Sequence, residues 1–300
     1  MKPTSIIFLI VSLAVVICGF ATAGIASHLA VSQDIELGTV MAEDKNAYAE
    51  PEFDAQNVGK ISISLDKATV NVIGGAEKSY IELVNFTDGM YAASSSNRVF
   101  TLSDSTDFTS LSGIVSMVTN FKGLRSFVDY FGMRKLERTV NVYISGDYSV
   151  NAIDISLGEG TVNIKDNRTQ TDYYVDIASG ELNMINIGTP SAVKVEIGTG
   201  NVNLSDCDIE YMSAVVKAGN VDATAQVNRF SVNIESGDFN YGCYSALDST
   251  NVKLATSVGT ITVDGQALGG FMQTGDAATG NIIDATVSVG DITIKTNTQR

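Results

Sequence analysis

From Val58 onward the chain alternates apolar and polar residues in short runs punctuated by glycine. A period of two predicts β-strands with one buried face. Aligned on glycine, the runs read Gly160-Thr-Val-Asn-Ile, Gly180-Glu-Leu-Asn-Met, Gly200-Asn-Val-Asn-Leu and Gly219-Asn-Val-Asp-Ala. They continue as Gly237-Asp-Phe-Asn-Tyr, Gly259-Thr-Ile-Thr-Val and Gly290-Asp-Ile-Thr-Ile, at spacings of 20, 20, 19, 18, 22 and 31 residues. Apolar residues sit three, five and seven positions before most of these glycines, as in Ile153/Ile155/Leu157 and Val193/Val195/Ile197, and two and four positions after them. The two sets differ by an odd number, so a straight strand would expose one of them. A corner at the glycine turns both inward, and glycine tolerates the backbone angles of a corner.

Each unit is therefore strand, corner, strand and return, and the fold class expected is all-β, a β-solenoid of stacked coils of about 20 residues. An antiparallel sandwich would fit the turn spacing equally. The recurrence of both half-strands at nearly constant length favours the solenoid. Gly59-Lys-Ile-Ser-Ile, Ala68-Thr-Val-Asn-Val and the run Thr139 to Val150 read as weaker copies.

The pattern changes twice. From Asp107 to Leu136, apolar residues such as Phe108, Leu111, Ile114, Val115 and Val118 follow three- and four-residue steps, predicting one inserted amphipathic helix at about 107–136. Its basic residues include Lys122, Arg125, Arg134 and Lys135, candidates for contact with an anionic membrane surface; a cover over a solenoid end is the alternative. At the N-terminus no charge separates Lys2 from Asp34, and residues 1–31 predict a signal anchor, a single transmembrane helix. Cleavage near Ala23, after Ala21-Thr22-Ala23, is the alternative and would give a secreted domain. Lys2 on the near side and Asp34, Glu36, Glu43 and Asp44 on the far side predict a cytoplasmic N-terminus and an extracytoplasmic C-terminal domain. Residues 32–57 are acidic and aperiodic and read as a stalk, leaving 58–300 for the solenoid.

Composition narrows the function. The net charge of −15 argues against a nucleic-acid partner. His28 is the one histidine, which disfavours histidine-based acid/base chemistry and histidine-rich metal sites. Asp176 and Glu196 occupy equivalent positions in neighbouring coils, too few oxygens for calcium and without the convergent groove of a glycoside hydrolase. No enzyme, cofactor or metal is expected. Cys207 and Cys243 lie two coils apart and are expected to remain free thiols. The residue three after each glycine forms a polar row of Asn163, Asn183, Asn203, Asp222, Asn240, Thr262 and Thr293, expected to bond side chain to side chain or to meet a glycan or partner. Phe271 and Met272, in the glycine-rich stretch from Asp264 to Asn281, mark a contact loop. The Gly290 unit, last in the chain, is expected at the open end of the stack.

Taken together, VGKISISLDKATVNVI, RTVNVYISGDYSVNAIDISLGEGTVNI and the later glycine-centred units resemble the bacterial "putative adhesin" family, the domain of unknown function 4097 type, over roughly Val58 to Lys295. The resemblance implies a membrane-anchored β-strand-repeat domain at the cell envelope and supplies no catalytic or binding residues. The function expected is a non-enzymatic, membrane-tethered interaction domain serving adhesion or envelope sensing, with an envelope glycan or a membrane protein as partner. A structural or regulatory partner of a membrane protein is the second reading, and a carbohydrate-active β-helix enzyme the third.

Overall fold

A computed structural model describes residues 52–55, 57–86, 91–104, 137–146, 150–188, 190–244, 247, 250–275 and 281–298. The N-terminal segment 1–31 and the helix expected at 107–136 lie outside the described residues, as does most of the stalk. Every extended element described is a β-strand.

Alternation sets the architecture. In β7 (Ala152–Lys165), Ile153, Ile155 and Leu157 are buried before Gly160, and Val162 and Ile164 after it. The switch of phase falls at Gly160, with φ of 153°. The strands β2 (Lys60–Ala76), β8 (Asp172–Ile185) and β9 (Val193–Ala218) repeat the same turn beside it in parallel register, Gly160 opposite Gly180 and Gly180 opposite Gly200. Ala68 holds the corner position in β2. A Cβ on Gly200 would stand 1.6 Å from the carbonyl oxygen of Gly180, so coils approach at the corner by backbone alone.

A second corner follows six residues after three of these glycines. Asp166, Asn186 and Asp206 have φ of 56°, 57° and 54°, the left-handed conformation that Asn and Asp tolerate best among residues with side chains. The return segment beyond it points Ile187, Cys207 and Ala225 inward. Asn167 is buried on the same segment, its amide donating to the Tyr173 hydroxyl at 2.5 Å.

Strand order departs from chain order at both ends. On the post-glycine side, β6 (Thr139–Ser145) lies beside β2, followed by β7, β8, β9, β10 (Val221–Ser236) and β11 (Phe239–Gly242), all parallel. The next neighbour is β17 (Ile292–Lys295), and only then β13 (Ile261–Val263). On the pre-glycine side β16 (Asn281–Val289) likewise pairs with β10 on one edge and β12 (Thr250–Val258) on the other. The Gly290 coil is thus interior and the Gly259 coil terminal, which corrects the expectation that the last unit forms the open end. Periodicity ranks coils along the chain and carries no information about which coil stacks on which.

Antiparallel strands close both ends. At one end β3 (Tyr80–Val84) pairs with β6 and β1 (Glu52–Asp54) with β3, while β4 (Tyr91–Ser96) pairs with β5 (Val99–Asp104), which flanks β2. At the other, β14 (Gln266–Ala267) pairs with β13 and β15 (Phe271–Thr274) with β12.

An insertion takes the place of a glycine corner between β5 and β6. The end coil consists of β5 and β6, and the chain leaves it after Asp104 and rejoins it at Glu137. Asp104 and Arg138 close the gap as a largely buried ion pair at 2.5 Å, and Arg138 Nε also donates to the Lys67 carbonyl.

Candidate functional site

Residues three positions after each corner face outward on the post-glycine sheet and fall into one row. Backbone register adds Asn71 and Asn141 to those visible in the glycine alignment. Asn203 Nδ2 donates to Asn183 Oδ1 at 2.8 Å, Asn183 to Asn163 at 3.0 Å, and Asn163 to Asn71 at 2.9 Å. Asn71 donates to Asn141 at 2.8 Å, and Asn141 to the Glu82 carboxylate at 2.8 Å. All five amides point the same way. Each keeps one N–H and one acceptor lone pair outside the row's own bonds, since an amide carries two donors and an oxygen with two lone pairs. Further along, Asn240 donates to Asp222 at 2.7 Å, and Thr293 and Thr262 follow in register.

Two flanking rows complete the face. Nearest the corner, side-chain oxygens accept from the backbone of the next coil: Asn220 N–H to Asn201, Asp238 to Asn220, Asp291 to Asp238, and Thr260 to Asp291, at 2.7 to 2.9 Å. Sequence reading missed this row, although the run of Asn and Asp directly after glycine was its signal. On the other flank lie Tyr80, Tyr143, Ile73, Lys165, Ile185 and Ser205. The rings of Tyr80 and Tyr143 stack at 4.4 Å, with Lys78 over Tyr80. Desolvation, reinforced by the Glu82 carboxylate, raises the Tyr143 hydroxyl above its ordinary pKa, so it stays a neutral donor. A concavity of about 690 Å³ runs along this face, its lining including Asn163, Asn183, Asn203, Ile185, Asp222 and Lys295.

The pre-glycine sheet presents a different outer face. Asp176 and Glu196 are direct register neighbours, as expected, in a row with Ser64 and Ser156. The adjacent row holds Asp154, which pairs with Lys60 at 2.5 Å, and Tyr174, with Lys194 above its ring. Asp154 Oδ1 is buried and makes no hydrogen bond. Among the described residues no group of three or more His, Cys, Asp or Glu is arranged to hold a metal ion.

The contact loop divides. Phe271 is 59% exposed, whereas Met272 packs against the core, because β15 pairs with β12 and alternation turns one residue out and the next in. Lys122, Arg125, Arg134 and Lys135 lie outside the described residues. Cys207 and Cys243 are buried, their thiols donating to the carbonyls of Met184 and Lys295. Asn167, which opens an Asn-Arg-Thr glycosylation pattern in the sequence, is closed to modification in the folded chain because its amide is buried against Tyr173.

The sequence pattern of the Toastrack DUF4097 family matches residues 58–300. The chain belongs to this family. Among solved structures, this Toastrack chain is similar to a putative cell adhesion protein from Clostridium sporogenes, at 14% identity and a TM-score of 0.38, covering 83% of this chain and 100% of that one. A putative adhesin from Bacteroides fragilis aligns at 10% identity and a TM-score of 0.38, over 82% and 95% of the two chains. A putative lipid binding protein from Parabacteroides distasonis aligns at 10% identity and a TM-score of 0.35, over 82% and 95%. Likeness at this level adds no argument about ligands. No curated protein sequence matches the chain.

Proposed function

We propose that this Toastrack protein is a membrane-tethered, extracytoplasmic interaction domain that works by surface recognition and serves adhesion or envelope sensing. The observation that carries the reading is the outer face of the post-glycine sheet. Asn141, Asn71, Asn163, Asn183 and Asn203 stand there at fixed spacing on paired strands, each locked by its neighbour and each with hydrogen-bonding capacity to spare. Such an array is preorganised for contact and loses little side-chain entropy on binding.

Topology supports the tether. The apolar segment 1–31 precedes the domain, and the chain joins the stack through β1, at the edge beyond β3 and β6. From β1 to β14 the post-glycine sheet extends about 50 Å at ordinary strand spacing. The insertion carrying Lys122, Arg125, Arg134 and Lys135 departs between Asp104 and Glu137, and its basic residues suit contact with anionic headgroups.

The test uses full-length protein in lipid vesicles incubated with cell-envelope fragments. Retention on the fragments, with the C-terminal domain open to added protease on one side of the vesicle only, is the expected result. Failure to bind any envelope fraction, or turnover of an envelope polysaccharide, would overturn the reading. Cross-linking to one membrane protein in place of glycan would favour a regulatory partnership.

A further inference from the structure

We propose that the amide row is a track for an extended, uncharged polysaccharide lying along the stack and across its strands. This inference rests on the interaction reading above and names the ligand class of the same face.

Three observations select the class. The first is pitch. Equivalent atoms of the row repeat at the separation of neighbouring strands, about 4.8 Å. An extended peptide advances about 3.3 Å per residue and brings alternate side chains to one side, so its groups fall out of step with the row. The sugars of an extended β-1,4-linked chain are spaced nearly as widely as the strands and turn over at each step, so equivalent ring hydroxyls recur at every second amide and stay in step with the row.

The second observation is charge. From Asn141 through Asn203 the row itself contains no ionised side chain; Glu82 stands at its end, Lys165 flanks it between Ile73 and Ile185, and the concavity over Asn163, Asn183 and Asn203 carries Asp222 and Lys295. A neutral polyol needs no charge partner along the amide row, whereas a polyanion meets a chain of net charge −15. The third is polarity and shape. All five amides donate in one direction, so every step presents the same donor and acceptor geometry to a ligand that itself has direction. Beside them Ile185, 51% exposed, offers an apolar surface to the C–H face of a sugar ring, with Ile73 two coils away in the same row.

The experiment is co-sedimentation of the full-length protein, in detergent micelles, with insoluble cellulose and chitin. Polygalacturonate gel serves as an anionic comparator, and cell-envelope fragments are run in parallel. Ile185→Glu removes the apolar contact at a solvent-facing position, and Asn183→Asp puts a charge into the row. Asp176→Asn and Glu196→Gln on the other outer face are controls, and thermal unfolding of each variant reports folding. Sedimentation with cellulose or chitin, weakened about tenfold by Ile185→Glu at unchanged unfolding temperature and untouched by the controls, is expected. Sedimentation with neither glycan, or equal weakening by variants on both faces, overturns the proposal. If envelope fragments still retain the protein and row variants have no effect, the polysaccharide inference fails and the interaction reading stands. Loss of retention on every fraction sinks both.

Discussion

The two outer faces of the stack share a backbone and a register, yet their side chains follow opposite rules. After the glycine corner the same residue type recurs coil after coil, and the amides bond one another along Asn203, Asn183, Asn163, Asn71 and Asn141. Before the corner the outward positions change at each step, from Ser64 and Ser156 to Asp176 and Glu196. The inward positions of both sheets are equally buried, as Ile153 and Val162 illustrate. The fold therefore requires the alternation and the corner, and leaves the outer rows free. Uniformity on one face reflects bonding within that face, with the further use proposed above.

The largest effect should come from the hinge that both faces share. Gly200→Ala sets a Cβ against the Gly180 carbonyl at a φ of 138°, and denaturant titration should show a loss of at least about 3 kcal/mol. Tolerance of alanine there would remove the corner as the cause of the phase switch. Next is the buried phenol inside. Burial pushes the Tyr173 hydroxyl far above its ordinary value of 10, so the folded chain holds the neutral form. Its stabilisation is complete below pH 10 and is lost as pH rises beyond, because the unfolded phenol ionises first. Tyr173→Phe should cost about 1–2 kcal/mol at pH 7, where the Asn167 amide loses an acceptor, and the gap to the parent should close in alkaline titrations.

Smaller effects separate the faces themselves. Asn183→Ala breaks two bonds of the row and should cost about 1 kcal/mol, with coupling to Asn163→Ala in a double-mutant cycle. The same cycle with Ser156→Ala and Ser64→Ala on the other face should show additivity; coupling of equal size there would erase the contrast. Smallest is Glu196→Gln. Relief of repulsion from Asp176 should stabilise by no more than about 0.5 kcal/mol at low salt and vanish at high salt, since both carboxylates face solvent.

Much of this was legible in the sequence. Gly160, Gly180 and Gly200 announced the corners because their φ values near 140–154° exclude other residues, and Asn163 to Asn240 announced the row because it keeps phase with them. Other features were hidden for physical reasons. The second corner uses Asp166, Asn186 and Asp206, turn-forming residues, but Asn and Asp also fill the outward rows of this chain, so their presence alone did not single it out. Ala68 stands at a corner without being glycine. The Asp104–Arg138 pair joins residues on either side of an insertion, and only the return of the chain to one coil brings them together. The placement of β16 and β17 is likewise a matter of distant partners, which a local period does not encode.

That placement has a consequence for how the protein is made. Among the described strands β16 and β17 are translated last, yet they lie between strands translated earlier. A nascent chain that has emerged only as far as residue 275 exposes two parallel edges with nothing between them, each a template for stray pairing. The molecule cannot close vectorially like a zipper. β16 and β17 act as a keystone: without them the coils on either side have no parallel partner to join them.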